Sequence, residues 1–250
     1  MERFEHYMER VTIMNVPFLK IDQNGFVQLM SERIKHKEKT FVITANPEIV
    51  MQANEDPELM KYIEKATYVS ADGIGVVKAA KILGSELPGR VTGYDTMMAL
   101  LRQGKPYKIF LIGAQQETLE KTIENIEKDF PHIEIVGAHN GFFDWNNNTI
   151  AKDVQTAEPD LVFLALGVPR QEKWIYENLE QFNHGVFIGV GGSFDVIAGT
   201  VKRAPVIWQK LNLEWLYRLL SQPTRWRRML SLPRFALKVF RMKRKGQVIK

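Results

Sequence analysis

The 250-residue sequence contains no cysteine, which excludes a disulfide scaffold, a thiolate metal site and a cysteine nucleophile. Long apolar runs are also missing: Leu161–Val168 is about half of the ~18 residues that a membrane span requires. The opening, MERFEHYMER, mixes acids and bases and carries no apolar h-region, so the reading predicts no signal peptide and a protein that stays inside the cell. Five histidines (His6, His36, His132, His139, His184) fall in no HxH, HxxH or HExxH spacing, and no D-x-D pair occurs. No resident metal is expected from such a set. A full G-x-G-x-x-G and a P-loop are absent too, which argues against a nicotinamide-dependent oxidoreductase on the same kind of sheet. Ser193, in Gly-Gly-Ser-Phe-Asp, lacks the G-x-S-x-G elbow of a serine hydrolase.

What the chain does contain is enough apolar material, 45% of its residues, for a substantial core. Its charge is unevenly spread. Residues 1–200 hold 20 Lys and Arg against 28 Asp and Glu, whereas residues 201–250 hold 14 bases against one acid, Glu214. An acidic body with a basic end points to an anionic partner for that end: a membrane surface, a phosphate or a nucleic acid.

Short apolar runs alternate with amphipathic stretches through the first 190 residues. Phe41–Thr44, Thr67–Ser70, Lys108–Ile112, Glu134–Val136, Leu161–Ala165 and Val186–Gly189 read as buried strands. Asp56–Lys65, Ile74–Leu83, Glu117–Phe130 and Gln171–Gln181 read as helices. This pattern predicts a Rossmann-like α/β fold, a mostly parallel sheet with helices on both faces. Alternation over Val11–Val16 predicts a weak edge strand. From Pro205 onward only helical patterns follow, so the reading divides the chain into an α/β catalytic core (1–204) and a helical basic appendage (205–250). In the appendage Trp208, Leu211, Trp215, Leu216 and Leu219 form one apolar stripe. Leu232, Phe235, Ala236, Val239 and Phe240 form a second, with Arg234, Lys238, Arg241 and Lys245 on another face. The second pattern suits a basic helix lying in a membrane interface, or equally one docked on the body with a solvated face. That apolar surface also allows self-association. A nucleic-acid-binding module is the competing reading of the basic end, but the apolar stripe and the acidic body favour a membrane, so no nucleic-acid partner is expected.

In an open parallel sheet, ligands bind beyond the carboxyl ends of the strands. The residues expected there are Thr44-Ala-Asn46-Pro47, Ala71-Asp72-Gly73, Gly113-Ala-Gln-Gln, Gly167-Val-Pro-Arg170-Gln171 and Gly191-Gly192-Ser193-Phe194-Asp195. Asp72 in its glycine corner suits a general base, and equally a helix N-cap. Asp195 and Asp95 carry the same two readings. With no metal expected, a diphosphate would have to be neutralised by cations: Arg90, Arg170 and the cluster Arg218, Arg225, Arg227 and Arg228.

Taken together, T-A-N-P-E at 44–48, A-D-G-I-G at 71–75, P-G-R-V-T-G-Y-D at 88–95, G-V-P-R-Q-E-K-W at 167–174, G-V-G-G-S-F-D-V-I-A-G at 189–199, K-R-A-P at 202–205 and L-E-W-L-Y-R-L at 213–219 resemble the WecG/TagA/CpsF glycosyltransferases, in order and spacing. The basic end most resembles the teichoic-acid branch. The resemblance implies an inverting transferase that uses neither metal nor other cofactor, a UDP-sugar donor and a polyprenyl-diphosphate-linked GlcNAc acceptor at an anionic membrane surface. It implies N-acetylmannosamine as the sugar moved in that branch; its uronic acid and glucose are donors elsewhere in the family. It further implies a peripheral enzyme on the inner face of the cell membrane. For residues, it implies Asp72 as general base, Thr44 and Asn46 lining the pocket, Arg90 and Gln171 on the nucleotide sugar, and Arg218, Arg225 and Arg228 completing the site against a diphosphate.

Overall fold

A computed structural model describes residues 8–146, 149–223 and 226–245, the side chains of residues 218, 227 and 228 excepted. The chain opens with a hairpin of β1 (Arg10–Ile13) and β2 (Val16–Leu19). Ile13 pairs with Val16, so Met14 and Asn15 form a two-residue turn with φ of 48° and 65°, the left-handed pair that matches strand twist. The expected edge strand is therefore half of a separate two-stranded sheet, outside the main one. Its alternating burial (Val11 and Ile13 in, Arg10 and Thr12 out) comes from packing against the body, and Asn54 Nδ2 ties it there by donating to Met14 O at 2.8 Å.

After α1 (Gln23–Lys35), capped by Asp22 Oδ1 accepting from Gly25 N, the α/β body begins. Its strands are β3 (Thr40–Ala45), β4 (Tyr68–Ala71), β5 (Lys108–Gly113), β6 (Glu134–His139), β7 (Leu161–Ala165) and β8 (Val186–Gly189). They form one six-stranded sheet in the order β4-β3-β8-β7-β5-β6, parallel between all neighbouring strands. β3, β4 and β8 are buried at every residue. Covered on both sides, they carry continuous apolar runs because neither face meets water.

The helices of this body are α2 (Pro47–Ala53), α3 (Pro57–Lys65), α4 (Ile74–Ile82), α5 (Gly93–Leu101), α6 (Gln116–Asp129), α7 (Ile150–Ala157), α8 (Arg170–Asn178) and α9 (Ser193–Ile197). Two apolar clusters record which face each one covers. One joins Ile49, Leu59, Val76, Val154, Trp174 and Phe235, and so gathers α2, α3, α4, α7 and α8. The other joins Phe26, Met97, Leu119 and Phe194, and so gathers α1, α5, α6 and α9. Adjacent strands β3 and β8 thus send their following helices to opposite faces. A crevice opens between their carboxyl ends, where an open α/β sheet binds ligands.

Beyond Pro205 the described residues form the helices α10 (Val206–Lys210), α11 (Glu214–Ser221), α12 (Trp226–Met229) and α13 (Ser231–Arg244). In α13, Phe235 and Val239 are buried in the first cluster and Met242 packs against it, an i, i+4, i+7 row. Of the two readings left open for this helix, the docked one holds for that row. Ala236, expected on the same stripe, is exposed, and Leu237 and Phe240 point outward at 58% and 54% exposure.

Candidate functional site

Three local features bring the sequence's candidate residues to the crevice. Asn46 follows β3 and caps α2, its Oδ1 accepting from Ile49 N at 2.9 Å, while Pro47 fills the first helical position, where a missing N–H is harmless. Asp72 follows β4, and its N–H donates to Ala45 O at 2.9 Å, which sets the ends of β3 and β4 side by side. The Pro-Gly-Arg loop is stitched along β4, with Val91 N donating to Ala71 O at 2.8 Å and Ser70 Oγ to Val91 O at 3.1 Å. Asn46, Asp72 and Arg90 consequently line one hollow, together with Thr92, Val190, Gly192 and Ser193.

The helix-cap reading of Asp72 does not hold at the cap position itself. The N-cap of α4 is Gly73, with φ of +110° and no side-chain cap bond, a backbone conformation that favours glycine. The half-buried Asp72 carboxylate lines the hollow instead. For Asp95, the cap of α5 is Thr92, whose Oγ1 accepts from Asp95 N and donates to Asp95 Oδ2 at 2.8 Å. Gly192 holds the N-cap position of α9. Asp195 and Arg170 line a second hollow, beyond β5 and β7, with Thr118 and Gly141.

Two of the expected residues lie behind the wall. Thr44 is 6% exposed and its Oγ1 donates to Gly189 O at 2.9 Å, which clamps β3 to β8 directly below the crevice. Gln171, 2% exposed, lines neither hollow. Its Oε1 accepts from Gly191 N at 3.3 Å and its Nε2 donates to Glu172 Oε1 at 2.8 Å. Ser193 Oγ donates to Val190 O at 2.6 Å.

The segment after residue 200 forms the rest of the hollow through Arg203, Asn212, Glu214, Trp215, Ser231 and Leu232. Arg90 Nη1 pairs with Glu214 Oε2 at 3.0 Å, with the side chains 25% and 15% exposed. Arg203 Nη2 pairs with Asp95 Oδ1 at 2.6 Å, and its guanidinium lies 4.5 Å from the centre of the Tyr94 ring. Two planar cations are therefore held at one cavity, each oriented by a carboxylate. The side chains of Arg218 and Arg228, and Arg225 entirely, lie outside the described residues. Sequence reasoning assigned Arg203 no role; its signal was the K-R-A-P string. Among the described residues no group of three or more His, Cys, Asp or Glu could hold a metal ion, and no helix is long and apolar enough to cross a membrane.

Glu172 was likewise missed. It is 1% exposed, and burial pushes its carboxyl up to about 7 against the lowering effect of the Gln171 hydrogen bond. Charged residues inside R-Q-E-K normally read as solvated. Yet Gln171, Glu172, Trp174 and Ile175 are all buried, one face at i, i+1, i+3, i+4.

Comparison with known proteins adds the chemistry. The chain is 38% identical over 240 residues to the N-acetylglucosaminyldiphosphoundecaprenol N-acetyl-beta-D-mannosaminyltransferase of Bacillus spizizenii (strain ATCC 23059 / NRRL B-14472 / W23), covering 95% of this chain and 93% of the relative. It is 38% identical over 237 residues to the protein of that name from Bacillus subtilis (strain 168), covering 94% and 92%. A Staphylococcus aureus (strain MW2) protein of the same name is 37% identical over 246 residues, covering 95% and 96%. The profile of the glycosyl transferase WecG/TagA/CpsF family matches residues 11–248, and with the strand-end hollow built from that family's strings, the chain belongs to this family.

Proposed function

We propose that the chain transfers N-acetylmannosamine from its UDP sugar to a GlcNAc carried on undecaprenyl diphosphate, with inversion at the anomeric carbon. The observation that carries this reading is one cavity that holds Asp72 beside Arg90 and Arg203, a base and two cations on the walls of a strand-end crevice. The relatives' shared name supplies the sugar and the acceptor.

The reaction is a single displacement. The acceptor hydroxyl attacks the anomeric carbon, Asp72 takes its proton, the new glycosidic C–O bond forms and the C–O bond to UDP breaks. Negative charge grows on the departing diphosphate. A general base contributes roughly 10²–10⁴ in rate, and fixed cations where charge develops contribute comparably. In this reading Arg90 and Arg203 serve that second task, and Asn46, whose Oδ1 is occupied by its cap bond, has an Nδ2 amide with which to hold substrate. Arg218, Arg225 and Arg228 complete the cationic wall in this reading.

The acceptor's polyprenyl chain lies in a membrane, and the segment after residue 204 acts as the membrane-facing appendage. Val206, Ile207, Leu211, Trp226, Leu237 and Phe240 are each more than half exposed among a run of bases. Apolar side chains of this kind enter the interface while neighbouring Lys and Arg each add about 1 kcal/mol near an anionic leaflet. The enzyme is thus a peripheral one on the cytoplasmic leaflet.

Purified full-length protein, a water-soluble lipid-linked GlcNAc analogue and a panel of UDP sugars test the reading. UDP release with UDP-N-acetylmannosamine, and a product of inverted anomeric configuration, are expected. Turnover with the corresponding uronic acid or with UDP-glucose instead would replace the donor, and no turnover with any of them would sink the assignment.

A further inference from the structure

Glu172 is a buried carboxyl that the displacement does not use. One of its oxygens accepts from Gln171 Nε2 at 2.8 Å; the other, Oε2, is buried with no hydrogen-bond partner among the described residues. An apolar side chain of the same volume would avoid that desolvation, so filling space does not account for a glutamate here. What the glutamate does is visible one bond further on. With Nε2 turned to Glu172, the Gln171 amide presents Oε1 to Gly191 N. The opposite flip would set an NH₂ against that N–H, two donors facing each other. Gly191 is left-handed at φ +52° and precedes Gly192 and Ser193, which wall the hollow opposite Asp72. The amide also lies so close over Gly189 that a side chain at Gly189 would collide with it.

We propose that Glu172 is a positioning residue: it fixes the flip of the Gln171 amide and, through it, holds the Gly191–Gly192 corner in the shape the substrate meets. This rests on the transferase reading above for its activity readout. It does not depend on that reading for its structural one.

The test uses full-length Glu172→Met and Glu172→Gln, with glycine-selective ¹⁵N labelling to follow the Gly191 amide. Methionine keeps the volume and removes the acceptor; glutamine keeps an acceptor oxygen. Glu172→Met is expected to melt no lower than wild type, to shift the Gly191 signal, and to lose roughly tenfold or more in kcat/KM for the soluble acceptor, as small misplacements at a reacting site do. Glu172→Gln is expected to hold the Gly191 signal and to stay within about threefold of wild-type activity. A folded Glu172→Met with full activity overturns the proposal, as does a fall in Glu172→Gln while its Gly191 signal stays in place. If Glu172→Met does not fold, Glu172→Gln alone decides, because signal and activity must move together or not at all. Should wild type transfer no sugar, the functional reading fails, and the Gly191 signal still decides whether Glu172 sets the corner.

Discussion

Arg90 and Glu214 meet at 3.0 Å across the candidate site, one from the loop beside β4 and the other from the start of α11. Glu214 is the single acid among the last fifty residues, and it faces the arginine expected to meet a diphosphate. Glu214→Gln should leave the melting of the sheet unchanged while tryptic cleavage after residue 204 becomes faster, because the contact anchors a locally stable segment and does not hold the core. Equal cleavage rates would show that the helices are held by α13 alone. Arg90→Lys should not restore function: a lysine is a point charge without the planar fork that two oxygens require. More than a tenfold loss of kcat/KM for donor is expected.

Asp72→Asn retains shape and removes basicity. The variant should fold, bind UDP, and lose ~10²–10⁴ in turnover. Activity within a few-fold of wild type, measured by UDP release, would leave Asp72 a structural residue of the β4 corner.

Activity should survive EDTA. Arg90 and Arg203 stand at the hollow, and no cluster of metal-ligating side chains occurs among the described residues. Loss of turnover on chelation, with recovery on adding magnesium or manganese, would contradict leaving-group stabilisation by arginine.

Stability should carry a mark of Glu172. Unfolded, its carboxyl ionises near the ordinary 4.5; folded, burial holds the proton up to about 7. Between those values the folded state binds more protons than the unfolded one, so stability falls as pH rises through the window and is level above it. The loss is on the order of 3 kcal/mol at most. Denaturant titrations of wild type and Glu172→Gln at pH 5 and pH 8 check it: the difference between the two pH values should shrink in the variant.

Cutting the chain after Leu230 is a further test. A removable membrane tail would leave the fold and soluble transfer intact. Because Phe235 and Val239 are buried in the core cluster and Ser231 and Leu232 line the hollow, the cut is expected to lower the melting temperature and reduce transfer even to a soluble acceptor. Unchanged melting would mean that α13 contributes nothing to the body.

These residues also mark what the sequence could disclose. Leu161–Ala165 and Val186–Gly189 are strands at the limits their apolar runs predict, since doubly covered parallel strands leave an uninterrupted β-rich signature. That Asp72 and Arg90 stand at the crevice was legible from strand-end geometry and from short strings. The burial of Gln171 and Glu172 was not, because a helix face reveals period but not depth, and only the packed structure places that face under β8. Whether α13 docked was equally undetermined: rows 235/239/242 and 232/236/240 are both helical, and the choice belongs to the surface of α2 and α4 that receives them.

The position of β8 has a consequence for how the enzyme is made. It is hydrogen-bonded to β3 on one side and β7 on the other, so without it the sheet is two unconnected pieces, β4-β3 and β7-β5-β6. The clamp that closes the seam, Thr44 to Gly189, joins residues 145 positions apart. Contacts of such span form late and slowly. A nascent chain therefore emerges from the ribosome with two half-sheets whose inner edges are open, the kind of surface on which strands pair wrongly. Neither half forms the whole hollow, because Asn46 and Asp72 lie on one and Gly192 and Ser193 arrive only with the last strand. The hollow is therefore completed in a single late event, after most of the protein has been synthesised.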